Sequence, residues 1–152
     1  MNTGGPYVNA ALLCEKVLQE RDGVLSMIRV VDRFTLMAMS AGEPLPDPLP
    51  TATVSFTIAL VLKSGLYKGS APIKFAIHSP SEQTIGESTI DVFFEGDDRG
   101  VNLVAPQQLQ VREEGIYWID VMCDKALLTR IPLRVIIQRV NQGSLKWAPG
   151  AS

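Results

Sequence analysis

The stretch Thr53-Val54-Ser55-Phe56-Thr57-Ile58-Ala59-Leu60-Val61-Leu62-Lys63 places a large apolar side chain at every second position. Side chains of a β-strand point alternately to opposite faces, so this pattern predicts a strand with one face in a core. The face predicted to be buried carries Val54, Phe56, Ile58, Leu60 and Leu62. This strand decides the class of fold, because most of the remaining chain repeats its pattern.

Similar alternation, or short β-rich runs, recurs along the rest of the chain and predicts further strands. These segments are 73–78, 90–95, 101–104, 109–111, 116–123 and 127–139. Turn-forming residues such as Gly96-Asp97-Asp98-Arg99-Gly100 separate them. Pro132 cannot donate to a strand ladder, so the start of the last strand is expected at an edge or a bulge. The pattern predicts an all-β protein, a two-sheet antiparallel β-sandwich of about seven to eight strands.

The N-terminal part of the chain leaves one assignment open. Residues 9–20 contain many helix formers, and Asn9 and Gly23 could cap a helix at its two ends. However, Asp22-Gly23 is typical of a tight turn and precedes a run rich in β-forming residues. We favour a long hairpin that pairs residues 8–19 with 24–38, and a helix over 9–20 is the alternative.

The 152 residues suit a single domain. We expect a flexible lead at 1–6, one sandwich domain at 7–140 and a loose tail at 141–152. Within the domain, residues 40–52 are predicted to be a proline-rich loop, because four alternating prolines from Pro44 to Pro50 exclude a helix and a central strand. This loop is interpreted as a stiff connector; a docking peptide for an aromatic groove is the alternative.

Composition excludes several classes of protein. The chain is 46% hydrophobic with a net charge of −2, which does not fit wholesale disorder or the cationic excess of nucleic-acid binders. One histidine and two cysteines are too few for a usual Cys/His zinc site, and no nucleotide-binding motif is present, so no cofactor is expected. The sequence starts without a basic signal-peptide region and lacks a long apolar run. A cytoplasmic protein that does not contact membrane is predicted.

The segment Glu113-Glu114-Gly115-Ile116-Tyr117-Trp118-Ile119 resembles the tyrosine corner of immunoglobulin-like sandwiches. The resemblance implies an immunoglobulin-like fold in which the Tyr117 hydroxyl bonds back to the main chain. The chain departs from the antibody pattern at Ile119, where antibody domains have a cysteine. The motif concerns the fold and does not indicate a function.

A second resemblance covers most of the chain. The residues Cys-Glu-Lys-Val-Leu from Cys14, Asp-Gly-Val-Leu-Ser from Asp22 and Ile-Arg-Val-Val-Asp-Arg-Phe up to Phe34 are similar to the opening hairpin of a family of small, uncharacterised bacterial proteins. Lys63-Ser64-Gly65 and Pro132-Leu133-Arg134-Val135 fit the same family. This resemblance implies a β-sandwich and leaves the function open.

Few residues suggest chemistry. His78, the single histidine, lies opposite in parity to the apolar side chains of its strand and is expected at the surface. A Ser-His-Asp arrangement would need this residue, yet the chain contains no Gly-x-Ser-x-Gly elbow, so no catalytic residue is assigned. Glu95, Asp97 and Asp98 are weak candidates for calcium ligands, and an ordinary solvated turn is the favoured interpretation.

Two features suggest contact surfaces. Trp118 alternates with Tyr117, so one of the two rings should face outward. Arg29, Asp32 and Arg33 form a charged group that either pairs within the fold or marks an interface.

The sequence favours a non-catalytic interaction module of a cytoplasmic bacterial protein, whose partner is another protein or a second copy. The alternative is a sandwich that binds a ligand or calcium through loops at one end. A small hydrolase that uses His78 is the third hypothesis.

The two cysteines, Cys14 and Cys123, lie in apolar surroundings and are expected to be buried free thiols. Thiol titration without reductant should therefore find two reactive groups in the unfolded protein and fewer in the native protein. A result of no titratable thiols after unfolding would instead establish a disulfide.

Overall fold

The computed structural model describes residues 4–40 and 51–141, which form nine β-strands and no helix. The strands are β1 (Tyr7–Gln19), β2 (Leu25–Val30), β3 (Arg33–Ser40), β4 (Ala52–Lys63), β5 (Lys68–His78), β6 (Thr84–Glu95), β7 (Gly100–Val111), β8 (Gly115–Cys123) and β9 (Ala126–Asn141). One sheet has the order β2-β1-β4-β7 and the other β3-β9-β8-β5-β6. The predicted all-β, two-sheet sandwich is confirmed, with more strands than the seven to eight expected.

The inward faces of the two sheets share one hydrophobic core. The apolar row predicted for β4 lies in this core, and Ile58, Leu60 and Leu62 are fully buried. Ile119 and Val121 of β8 belong to the same core from the opposite sheet. Full burial of one such side chain contributes roughly 1.5–3 kcal/mol, so this row is a major source of attraction between the layers.

The middle of the second face of β4 is also buried, which the alternating pattern did not predict. Thr57 and Ala59 point away from the core, yet they are 8% and 0% exposed. In the register of the four-stranded sheet, Ala59 lies between Leu12 of β1 and Val104 of β7. These larger neighbours cover the small side chain because β4 is an inner strand with a partner on each side.

The predicted first hairpin is confirmed only in part, and the alternative prediction of a helix over 9–20 is wrong. β1 and β2 pair antiparallel through the register Gln19↔Leu25 to Cys14↔Val30. The predicted second arm, 24–38, does not continue along β1. The Val31 N–H donates to the Leu13 carbonyl in the first sheet, whereas the Asp32 carbonyl accepts from Arg134 in the second. The chain therefore changes sheets between two adjacent residues.

The prediction of a purely antiparallel sandwich is wrong at the strand that follows this crossover. β3 pairs parallel with β9, from Arg33↔Arg134 to Ser40↔Asn141. Pro132 lies just before this pairing begins and opposes Trp118 of β8. In the described part of the chain, β9 therefore has a strand partner on only one side at Pro132, which confirms the edge predicted from the missing N–H.

β7 joins two runs, 101–104 and 109–111, that the sequence predicts as separate short strands. Pro106 lies within it, opposite Thr57 of β4. An edge strand tolerates proline because one side of its backbone has no ladder to complete.

The expected lead, proline-rich loop and tail lie mostly outside the described residues. Residues 41–50 fall between Ser40, the end of β3, and Thr51, which precedes β4. Residues 1–3 and 142–152 are likewise outside the description, and Asn141 belongs to β9.

The tyrosine corner is present. The hydroxyl of the buried Tyr117 donates to the Glu113 carbonyl at 2.9 Å, so the ring ties the segment before β8 to the core. Burial raises the pKa of this hydroxyl. Gly115 has a φ of 137°, and a Cβ there would lie 2.9 Å from the Pro80 Cβ. Glycine is therefore required sterically and conformationally at the start of β8.

Replacing Tyr117 by Phe should lower the free energy of unfolding by about 1–2 kcal/mol, because the Glu113 carbonyl would lose its partner in a partly buried site. Tyr67→Phe is the matched control, since its hydroxyl donates to the Ser70 carbonyl in an exposed setting. Denaturant unfolding of both variants measures the difference. Equal losses would show that the corner contributes no more than a surface hydrogen bond.

Candidate functional site

The structure does not bring the three loop carboxylates considered for calcium together as a group of potential metal ligands. The Glu95 carboxylate pairs with Arg99 at 2.8 Å, and Asp98 accepts a hydrogen bond from the Tyr7 hydroxyl at 3.2 Å. Asp97 and Asp98 both have positive φ, as expected in the tight turn between β6 and β7. Among residues 4–40 and 51–141, no group of three potential metal ligands occurs. Glu95 and Asp98 therefore have partners that belong to the fold.

His78 lies on the outer face of the five-stranded sheet, as its parity predicted, but it is not simply solvated. Its side chain is 26% exposed, and its Nε2 lies 3.1 Å from Oδ2 of Asp120. Its Nδ1 lies 3.2 Å from the Thr84 hydroxyl. Both ring nitrogens therefore have partners, which fixes the orientation of the ring on the sheet.

Asp120 connects His78 to a basic residue of the next strand. Its Oδ1 accepts from Nε of Arg130 at 2.7 Å, and its Oδ2 lies 3.4 Å from Nη2. The Asp120 side chain is only 14% exposed. The register explains the meeting, because Asp120 opposes Arg130 on one side and the small Ala76 on the other.

Trp118 is the outward member of the Tyr117–Trp118 pair. The Arg130 guanidinium lies 5.0 Å from the centre of its ring, within the range of a cation–π contact. The hydrogen bond that Arg130 donates to Asp120 raises the pKa of Arg130, and the charges of Asp120 and Glu82 act in the same direction. We call His78, Trp118, Asp120 and Arg130 the outer-face cluster.

The outer-face cluster borders a shallow cavity of about 330 Å³. Pro80 and Ile116 add apolar walls, and Glu82 adds an acidic group. The cavity thus combines an aromatic ring, an oriented cation and hydrogen-bonding groups on one open surface. Such a surface suits recognition of a partner.

Sequence reasoning found part of this site and missed the rest. It placed His78 outward and required an outward ring at Tyr117 or Trp118. It did not identify Asp120 or Arg130. Their meeting depends on the register of three strands, and the β8–β9 register shifts between Val121 and Met122. The alternating pattern specifies a face but not which residues oppose each other across strands.

The other charged and thiol groups noted in the sequence lie elsewhere. Arg29 pairs with Glu15 at 2.8 Å on the exposed part of the first hairpin. Cys14 and Cys123 are free and buried, as expected. Burial raises the pKa of both thiols, and the charge of Asp124 raises that of Cys123 further.

A double-mutant cycle should measure a larger coupling for Asp120 with Arg130 than for Lys74 with Glu87. The two pairs lie on the same face of the same sheet, at 2.7 and 3.0 Å. The Asp120 side chain is much less exposed than that of Lys74 or Glu87, so solvent screens its pair less. Each coupling energy follows from the free energies of unfolding of the wild type, the two single alanine variants and the double alanine variant. One cycle uses Asp120 and Arg130, and the other uses Lys74 and Glu87. Equal couplings would contradict an oriented cluster.

The described residues contain no helix with the length and apolar character needed to cross a membrane. A search of curated proteins finds no match to the chain. Similar solved structures include an immunoglobulin-like protein from Pseudomonas aeruginosa, with 12% identity and a TM-score of 0.39 over 88% of this chain and 98% of that one.

A second similar structure is the alkylpurine DNA glycosylase AlkC from Pseudomonas fluorescens, bound to DNA containing an abasic site analog. It has 9% identity and a TM-score of 0.37. The match covers 83% of this chain and 30% of the glycosylase chain. A family model described as a family of unknown function matches residues 9–136. This match confirms the resemblance to an uncharacterised family, and the chain belongs to the family of unknown function DUF6941.

Proposed function

We propose that the chain is a non-catalytic interaction module that contacts a protein partner through the outer face of its five-stranded sheet. The observation that carries this proposal is the Arg130 guanidinium, held over the Trp118 ring by the largely buried Asp120. Trp and Arg are the residue types most enriched among the residues that dominate binding energy at interfaces.

Preorganisation supports this use of the outer-face cluster. A flexible arginine loses rotamer freedom when a partner fixes it, which weakens binding. Here Asp120 already fixes Arg130, and Asp120 and Thr84 fix His78, before any partner arrives. The entropy loss on binding is therefore reduced.

The surroundings of the cluster also support the proposal. Pro132 opposes Trp118 in the adjacent strand, and Ile116 lines the neighbouring cavity. These apolar groups surround a few oriented polar ones, as in the central part of a binding surface.

A hydrolytic role for His78 has less support. A general base must lie within hydrogen-bond reach of the proton that it removes, and a triad histidine bonds a carboxylate through one nitrogen and a hydroxyl through the other, so the hydroxyl here would be that of Thr84. Asp120 occupies Nε2, and the hydroxyl beside Nδ1 belongs to Thr84 on the edge strand β6. Asp120 is itself shared with Arg130, which suits a fixed network better than proton transfer.

The loop-binding alternative has less support as well, because Arg99 and Tyr7 already engage Glu95 and Asp98. We also propose a cytoplasmic location, which two buried free thiols support, since reducing compartments keep cysteines unpaired.

Quantitative capture from a lysate of the source organism tests the proposal. Trp118→Ala should weaken binding of the principal captured protein by roughly 10- to 100-fold, the range of a typical hot-spot residue. Phe93→Ala is the matched control, because Phe93 is an exposed aromatic residue on β6 of the same sheet. Unfolding curves verify that both variants fold.

The same variants distinguish a second copy from a foreign partner. Sedimentation of the purified chain at increasing concentration would reveal a dimer, and Trp118→Ala should weaken that dimer if the cluster forms its interface. The proposal fails if the wild-type chain associates with nothing, or if Trp118→Ala binds as tightly as Phe93→Ala.

A further inference from the structure

A cleft of about 590 Å³ lies on the side of the sandwich where β6 ends one sheet and β7 ends the other. Ile77, Leu109 and Tyr117 contribute apolar surface to its lining, and all three belong to the core. Binding sites for small ligands commonly have volumes of roughly 300–1,000 Å³. We call this space the edge cleft; none of the four residues of the outer-face cluster lines it.

The edge cleft exists because the inward pattern of β6 and β7 is interrupted. Elsewhere these strands point Ile90, Val92, Phe94, Leu103, Ala105 and Leu109 toward the core. Gly86 and Ser88 take inward positions of β6, since they oppose Ile77 and Phe75 of β5. Gln107 takes the inward position of β7 opposite Phe56 of β4. Small or polar side chains thus leave space where apolar ones would close the core.

Gly86 lines the edge cleft and opposes Ile77, so a side chain introduced at this position would point into the cleft. A Cβ at Gly86 would have the Ile77 Cδ1, at 3.8 Å, as its nearest contact, so alanine would fit. Gly86 also lacks the positive φ seen at five other glycines, so its backbone accepts a side chain without strain. Neither the backbone conformation nor the space at this position therefore requires glycine.

The backbone beside the cleft is available for pairing. Within residues 51–141, β7 has a strand partner on one side only, so its other side has no ladder. Pro106 interrupts this free side because it has no N–H. The stretch beyond it, Gln107–Gln110, lines the cleft. Its four residues span about 13 Å at 3.3 Å per residue.

The charges of the lining identify the kind of segment that fits. Glu87 is neutralised by Lys74 at 3.0 Å, and the remaining two charges, Arg112 and Glu113, are of opposite sign. Glu113 is further held by the Ser81 hydroxyl at 2.6 Å. The lining therefore offers no net charge to an ion or to a strongly charged peptide.

Carboxamides are prominent among the free polar groups of the cleft. In the described part of the chain, the side chains of Gln107, Gln108 and Gln110 have no hydrogen-bond partner. Each offers both a donor and an acceptor, which is also what a peptide group requires. Gln107 lies beside the apolar lining, whereas Gln108 and Gln110 have the opposite parity and oppose Ser55 and Thr53 of β4. Uncharged amides are therefore available on both faces of a strand that pairs with β7, and they complement an uncharged peptide.

We propose that the edge cleft binds an uncharged, extended segment of a partner polypeptide, which pairs with β7 along Gln107–Gln110 and points side chains toward Ile77 and Leu109. Addition of a strand to an exposed sheet edge is a common mode of peptide recognition. This site goes beyond the proposed function, because it is a second contact surface with its own ligand chemistry.

Selection from a phage-displayed library of random seven-residue peptides tests the proposal. The selected peptides should be uncharged, and as free labelled peptides they should bind wild type and Gly86→Ala alike. Gly86→Leu should weaken binding at least about tenfold, because the longer side chain projects toward Ile77 into the space that the peptide side chains would occupy. Methylation of alternate backbone nitrogens of the peptide should weaken binding as well, since it removes the N–H groups that pair with β7.

Two further measurements make the outcome decisive. Trp118→Ala should leave peptide binding unchanged, which separates this site from the outer-face cluster. If Gly86→Leu does not fold, amide chemical-shift mapping of the wild-type chain replaces it and should show changes at residues 84–88 and 107–110. The proposal is overturned if no peptide is enriched, if Gly86→Leu binds normally, or if the shifts map elsewhere.

Discussion

The burial of β4 between two neighbouring strands and beneath the opposite sheet is the constraint on which the rest of the structure depends. Its inward row lies in the core that the two sheets share, while its backbone pairs with β1 and β7. The four-stranded sheet cannot form without it. The five-stranded sheet would in turn expose Phe75, Ile119 and Leu133, which are now almost fully buried. Both candidate binding surfaces follow from this arrangement, since one lies outside the second sheet and the other at the edge.

The alternating pattern predicted the layers, the buried row of β4 and the outward direction of His78, because it depends only on side-chain parity. The tyrosine corner was likewise predictable, since it is set by local spacing from Glu113 to Tyr117. Both kinds of inference use neighbours along the chain. They succeed where the local geometry is sufficient.

Other features depend on contacts between distant segments and were not predictable in this way. The break at Val31 and Asp32 follows from hydrogen bonds to two different sheets, and no proline or glycine marks it. The network of His78, Asp120 and Arg130 requires the register of three strands. The edge cleft was visible in principle, because Gly86, Ser88 and Gln107 interrupt the inward pattern, but their meeting required the strand order.

The parallel pairing of β3 with β9 has a consequence for the order of events during synthesis. Among the described strands, residues 33–40 pair only with residues 134–141, about a hundred positions later in the chain. Ribosomes elongate at roughly 5–20 residues per second, so β3 waits for seconds as an unpaired strand after it emerges. The first sheet can assemble earlier, since β1, β2, β4 and β7 all lie within residues 7–111. The strand order therefore allows a nascent stage in which one layer is complete and its apolar face is uncovered, and a chaperone could bind this face at that stage.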